Sequence, residues 1–319
     1  MYAPPFTITD ERLTLVAEIS EAIGGINAMM SDSLPHPMLR KQNRIKTIHS
    51  SLAIENNSLT IDQVTDIIEG NRILGAPNEI QEVKCAINAY DILPDIDPHK
   101  EKDLLKTHKL MMRDLVRENG QYRSGNVGVL GEKGCVHMAP PPQRVPQLMT
   151  DLFTWIKTTK THPLISSCVF HYEFEFIHPF ADGNGRMGRY WQTALLSGWK
   201  PVFAWLPVET IVKEHQQEYY DIIAQCDAEA NSTAFIHFML KCIKQAIDDI
   251  KTPKKTPKKT PKDIIFELIK NNPQSTVQEM ADAMGMNKRN AQKHVNALVE
   301  EGLIQRIGAA RGGHWEIIK

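Results

Sequence analysis

The chain has 319 residues, 42% of them hydrophobic, and a formal net charge of −1. That length suits about two domains with a substantial core, and the near-neutral balance excludes a protein that holds polyanions through bulk charge. No run approaches the ~20 apolar residues of a membrane span, so no membrane partner is expected. The start, Met1-Tyr2-Ala3-Pro4-Pro5, lacks the basic region and apolar core of a secretory leader. Five cysteines, odd in number and without Cys-x-x-Cys spacing, fit free thiols in a reducing, cytoplasmic setting.

Long amphipathic patterns dominate residues 10–115 and 145–250, and strand signals are few before residue 300. The expected fold class is therefore mainly α. Residues 1–100 read as an N-terminal helical region. Within it, Ser51-Leu52-Ala53-Ile54-Glu55-Asn56-Asn57 places Ser51 and Glu55 on one helical face. Asn56-Asn57 suits the helix's C-terminal end, and Thr60-x-x-Gln63 reads as the capping box of the next helix. Taken alone, Glu55 is most simply a surface glutamate on an amphipathic helix.

Residues 101–250 read as the catalytic core. Gln121-Tyr122-Arg123 leads into two short apolar stretches, Val127 to Leu130 and Cys135 to Met138, around Gly131-Glu132-Lys133-Gly134, the pattern of a β-hairpin. Phe170, Phe174 and Ile177 have helical spacing. Ser197-Gly198-Trp199-Lys200-Pro201 reads as a break between helices. Tyr219 and Tyr220, with Ile222 and Ile223, read as core packing, with a place near a nucleotide's base as the alternative. His171, Glu173, Glu175 and His178 match no metal-ligand spacing and read as ordinary residues as far as metal is concerned.

The most informative run is His178-Pro179-Phe180-Ala181-Asp182-Gly183-Asn184-Gly185-Arg186-Met187-Gly188-Arg189. Gly183 and Gly185 permit a tight turn and close approach to a ligand. The apolar run after them is helical in pattern, so the turn falls at a helix N-terminus, where free N–H groups and the dipole attract anions. Arg186 and Arg189 are three apart and share a face, and the guanidinium fork suits phosphate. Asp182 is a carboxylate that could hold Mg²⁺ against phosphate oxygens. His178 is the base of the run. The glycines also match a dinucleotide fingerprint formally, but no strand-helix-strand rhythm surrounds them.

This run resembles the signature of Fic-domain proteins, His-Pro-Phe-x-(Asp/Glu)-Gly-Asn-Gly-Arg-x-x-Arg, at every fixed position. The resemblance implies a Fic-type helical core with a small β-hairpin flap, and transfer of AMP from ATP to a hydroxyl side chain of a protein. It implies His178 as the base that deprotonates the hydroxyl and Asp182 as the Mg²⁺ ligand. Gly183, Asn184 and Gly185 become the anion hole, Arg186 a β-phosphate ligand and Arg189 the γ-phosphate ligand. Phe180 becomes a buried anchor. Residues 51–57 resemble the family's inhibitory motif, (Ser/Thr)-x-x-x-Glu-(Gly/Asn)-Asn. That implies that Ser51, Glu55 and Asn57 belong to an inhibitory helix whose glutamate pairs with Arg189 and displaces the γ-phosphate. The hairpin resembles the family's flap, which implies docking of an extended target segment along Val127, Val129, Val136, His137 and Met138.

Residues 251–262 are three copies of Lys-Thr-Pro-Lys. This composition cannot build a core and favours an extended spacer, about 37 Å at ~3.1 Å per residue. Residues 263–319 resemble winged helix-turn-helix domains. Ile264 to Leu268 begin one helix, Ser275-Thr276-x-x-Glu279 caps a second ending near Gly285, and Asn287 caps a third with Ala291, Val295, Leu298 and Val299 inward. Leu303 to Ile307 and Trp315 to Ile318 form a hairpin around Gly308 to Gly313. Lys288, Arg289, Asn290, Gln292 and Lys293, with Arg311 on the wing, are the expected DNA-facing residues; a protein partner for this domain is the alternative. The expected activity is an adenylyltransferase restrained by Glu55, with ATP as substrate, Mg²⁺ as cofactor, self-modification and a homodimer. The alternatives are removal of AMP or transfer of another phosphate-containing group at the same site, or a transcription regulator that uses the core as a nucleotide sensor.

Overall fold

The computed structural model describes residues 2–29, 37–131, 134–251, 261–284, 286–308 and 313–318. The chain divides into two compact units, residues 1–251 and 252–319.

The first unit is helical apart from one hairpin. In chain order it holds α1 (Asp10–Met29), α2 (Pro37–Ile54), α3 (Ile61–Ile68), α4 (Pro77–Asp91), α5 (Glu101–Met111), β1 (Gly128–Gly131) and β2 (Gly134–Met138). Then follow α6 (Val145–Thr158), α7 (Pro163–Ile177), α8 (Asn184–Trp199), α9 (Val208–Glu214), α10 (Gln216–Glu229) and α11 (Thr233–Lys251). Local chemistry sets many of the ends. Asn56 takes a left-handed φ of 66° just past α2. Thr60 and Gln63 form the reciprocal capping box of α3, and prolines open α4 and α7 where no N–H is needed. The break expected over residues 197–201 falls there: α8 runs through Gly198 to Trp199, and the helix ends at Lys200, whose following proline disfavours helical backbone.

Helices α7 and α8 pack against each other at the centre, flanked by α6, α11, α5 and α2. Nearly every face of both is buried, including Phe170, Phe174, Tyr190 and Trp191. That is why neither shows a clean one-sided pattern. One continuous core joins residues from Val16 to Ile247, so helices before residue 100 and after it share the same interior. The hairpin is antiparallel, pairing Gly128 with Met138 and Gly131 with Gly134, with a register shift between Val129 and Leu130. Cys85, Cys168, Cys226 and Cys242 are buried free thiols. Among the described residues no helix is long and apolar enough to cross a membrane.

The second unit holds α12 (Pro261–Asn271), α13 (Val277–Ala283), α14 (Lys288–Glu300) and the antiparallel pair β3 (Ile304–Ile307) and β4 (His314–Ile317). Ile265, Ile269, Met280, Val295, Leu298, Ile304 and Trp315 form its core. Thr276 and Glu279 make a capping box, and Asn287 caps α14 by accepting from the Asn290 amide. Val299, expected inward, is 44% exposed: one residue beyond Leu298, it rotates off the buried stripe. Lys288, Arg289, Asn290, Gln292 and Lys293 are all exposed. Arg311 lies outside the described residues, as does the linker from 252 to 260. The mainly α class with a small hairpin and a winged helix is the class expected.

Candidate active site

The loop between α7 and α8 carries the signature residues, and it is held from beneath. Helix α7 closes on the His178 amide, which donates to Phe174 O at 2.9 Å, and His178 itself takes the left-handed conformation (φ 49°, ψ 60°). The chain enters α8 at Gly183, whose φ is +83° and whose hydrogen faces Met112 Sδ. A side chain there would be both strained and blocked. Phe180 is fully buried, and the Asn184 side chain bonds both its N–H and its C=O at 2.9 Å. Asn184 therefore braces the loop with its side chain and offers the helix N-terminus only its backbone amide.

Two further braces carry no motif assignment in the sequence. The His108 ring on α5 stacks on Phe180, with ring centroids 3.6 Å apart and planes at 5°. Its Nε2 lies 3.0 Å from Asp182 O. A carbonyl only accepts, so Nε2 carries the proton, and Nδ1 accepts from the Gly120 amide at 2.8 Å. Burial lowers the His108 pKa from 6.5 to about 4, which keeps this imidazole neutral. Arg123, buried, donates to His178 O at 2.7 Å, to Gly125 O at 2.9 Å and to Pro140 O at 2.5 Å. It thereby ties the loop to both stems of the hairpin. The only sequence signal for these two was a histidine on the buried face of a helix and an arginine before a hairpin.

His178 Nδ1 is 3.3 Å from the Glu175 carbonyl oxygen. That contact places the ring proton on Nδ1 and leaves Nε2 as the basic nitrogen. Below it, the Glu175 side chain is 9% exposed, and its Oε1 lies 3.7 Å from His171 Nε2. Burial alone would raise the Glu175 pKa, but His171, His178 and Arg189 together hold the carboxylate below its ordinary value. Glu173, two residues earlier, turns instead to the Tyr2 hydroxyl. Among the described residues no cluster of three or more His, Cys, Asp or Glu converges.

The two arginines stand on the first turns of α8 and are differently engaged. Arg189 is buried. Its Nη2 donates to Glu55 Oε1 at 2.7 Å and to Ser51 O at 3.0 Å, and its Nε to Ser51 Oγ at 3.2 Å. Burial opposes the Arg189 charge, but the Glu55 carboxylate outweighs it and holds the guanidinium above its ordinary pKa. Arg186 is also buried, yet its Nε and Nη1 make no hydrogen bond. Glu82 Oε1 on α4 is 3.4 Å from Nη1 and Asp182 Oδ1 is 3.3 Å from Nη2. Two buried donors that make no hydrogen bond, on a guanidinium faced by these carboxylates at 3.3–3.4 Å, leave the charged fork able to take an anion.

Glu55 stands at the N-terminus of α8. A Cβ on Gly185 would collide with Glu55 Oε1, so the carboxylate rests against the backbone where an anion would bind. Thus Ser51, Glu55 and Arg189 come together, as do Gly183, Gly185, Arg186 and Asp182. Asn57 does not reach Arg189. Its Nδ2 donates to Glu82 Oε2 at 2.8 Å and to Glu79 O at 3.2 Å, anchoring the end of α2 on α4. Asp182 is 60% exposed and accepts through Oδ1 from the Gly183 amide at 2.5 Å. A single exposed carboxylate beside an anion site fits a Mg²⁺ shared with phosphate, not an all-protein cage. In the hairpin, Val127 is half-buried. The side chains of Val129, Val136, His137 and Met138 lie outside the described parts of the structure.

Comparisons agree with this architecture. Residues 96–196 match the Fic/DOC family, and residues 258–305 match the winged helix-turn-helix DNA-binding family. The crystal structure of a Fic family protein from Desulfovibrio desulfuricans is similar over 99% of this chain and 98% of that one, with 44% identity and a TM-score of 0.76. The chain therefore belongs to the Fic family, with a winged helix domain at its C-terminal end. A Fic-1 segment from C. elegans shares the fold at 19% identity and a TM-score of 0.60. Protein adenylyltransferase Fic of Aedes aegypti is 29% identical over 227 residues, and that of Culex quinquefasciatus 30%. These matches take in 65% of this chain but only 42% of either relative's length.

Proposed function

We propose that this protein transfers AMP from ATP to a hydroxyl side chain of a protein and that Glu55 restrains it. The observation that carries the reading is the pairing of Glu55 with Arg189 at the N-terminus of α8: an internal carboxylate occupies a built anion site. Arg186, whose Nε and Nη1 make no hydrogen bond, and the backbone amides of Asn184 and Gly185 at the start of α8 would supply the rest of a polyphosphate cradle. In the proposed step the acceptor oxygen attacks the α-phosphorus while its proton passes to His178 Nε2. The bond from the α-phosphorus to the bridging oxygen breaks, and pyrophosphate leaves. Asp182 would hold a Mg²⁺, which when bound neutralises phosphate oxygens. Incubation of the purified protein with ATP labelled at the α-phosphate tests this: label should appear on the protein itself. Label from the γ-phosphate, or none even after Glu55 is removed, would overturn it.

For the second unit we propose contact with duplex DNA through the exposed basic face of α14. The support is that Lys288, Arg289, Asn290 and Lys293 line up outward on the third helix of a unit matching a DNA-binding winged-helix family. Retardation of duplex DNA that weakens steeply with salt tests it.

A further inference from the structure

The last four carbonyls of a helix have no partner inside it and must find one elsewhere. In α2 each is accounted for. Ser51 O accepts from Arg189 at 3.0 Å, and Leu52 O accepts from the Glu55 and Asn57 amides of the closing turn at 2.9 and 3.1 Å. Ala53 O accepts from the Asn56 amide at 3.2 Å and from Lys213 Nζ at 2.7 Å. Ile54 O accepts from Gln216 Nε2 at 3.0 Å and from the Tyr220 hydroxyl at 3.2 Å. Lys213 also donates to Gln216 Oε1 at 2.6 Å, so the lysine and the glutamine act as one unit. Three side chains of the α9–α10 elbow thus grip the end of α2, directly before the residue that blocks the anion site.

We propose that Lys213, with Gln216 and Tyr220, is a positioning latch that sets how firmly Glu55 holds Arg189. The hydrogen bonds of the latch go to the end of α2 and between Lys213 and Gln216. Lys213 places a cation at the negative end of the α2 dipole, and its hydrogen bond is charge-assisted. Without it the last turn of α2 frays, and fraying moves Glu55 because Glu55 follows Ile54 directly. The latch is built from an elbow whose outer residues Glu214, His215, Gln217 and Tyr220 are exposed, so whatever binds that elbow is coupled to the site. The inference rests on the restraint by Glu55 proposed above.

Two measurements on the full chain test it. Hydrogen exchange at residues 52–57 needs no reaction: Lys213→Met should speed it, while Lys213→Arg should leave it near the parent rate. Self-labelling from α-labelled ATP should rise about two- to fivefold in Lys213→Met, the size of one cation at a helix end, and should gain nothing further in Glu55→Gly, Lys213→Met. Removing a merely structural residue does not raise activity, so the sign separates the two roles. Tyr220→Phe deletes one hydroxyl and should give a smaller change of the same sign should the lysine variant fold poorly. The latch is overturned by unchanged exchange at 52–57, or by a gain that persists undiminished in the Glu55→Gly background. Faster exchange with no labelling in any variant would leave the latch standing and sink the transfer reaction instead.

Discussion

Glu55→Gly should produce two effects of opposite sign. The pair it breaks is a charge-assisted hydrogen bond of 2.7 Å between a buried guanidinium and a carboxylate that is 32% exposed. Such bonds contribute about 1.5–3 kcal/mol net, and a nucleotide phosphate must now displace the Glu55 carboxylate to reach Arg189. Its removal should raise ATP affinity and self-labelling roughly 10- to 100-fold, at ~1.4 kcal/mol per factor of ten. Without nucleotide the same change strands a buried cation on the neutral acceptors of Ser51. The ligand-free protein should therefore melt a few degrees lower, at roughly 2–4 °C per kcal/mol for a unit of this size. ATP should raise its melting point by more than it raises the parent's. Calorimetric titration with ATP, α-labelled ATP and a thermal melt read the three quantities. Adding Arg189→Ala should abolish the gain, because the freed arginine is its cause. A Glu55→Gly protein with the parent's ATP affinity and labelling, folded and cooperative in its melt, would refute the reasoning.

His178→Ala, made in the Glu55→Gly background, should cut labelling by ~10²–10⁴ while ATP affinity stays within a few-fold, as for a lost general base; a variant that still labels at full rate excludes His178 from that role. Asp182→Ala should lose labelling and the dependence of ATP binding on Mg²⁺ together; unchanged Mg²⁺ dependence would remove Asp182 from the metal. His108 is neutral in the fold with its pKa lowered to about 4, whereas the unfolded chain takes up a proton near 6.5. Its contribution is full above pH 6.5 and is lost as pH falls from 6.5 towards 4, up to about 3 kcal/mol. The melting point should fall over that window more in the parent than in His108→Gln; parallel curves would show that the stacked imidazole is not the cause. Replacing Lys288 and Arg289 by alanine should weaken duplex DNA retardation and lower its salt slope by about two units, and an unchanged slope would point away from α14.

What the sequence determined by itself is local. The run from His178 to Arg189 is contiguous, so its glycine turn, its position before a helix and its resemblance were legible without any fold. The capping boxes at Thr60 and Thr276 were legible for the same reason, since each closes within three residues. The break at 197–201 was legible too, since Pro201 marks it locally. Where periodicity alone had to decide, it slipped by a residue: Val299 turned out to the solvent, because burial depends on the surroundings of a helix and not only on its own repeat. The meeting of Glu55 with Arg189, 134 residues apart, was accessible only through resemblance. Its setting was not accessible at all. That Glu82 links Asn57 to Arg186, that His108 and Arg123 hold the loop from beneath, and that Lys213 grips α2 are consequences of packing. These contacts join helices distant in the chain, and only the tertiary fold brings their carbonyls, carboxylates and cations within bonding distance.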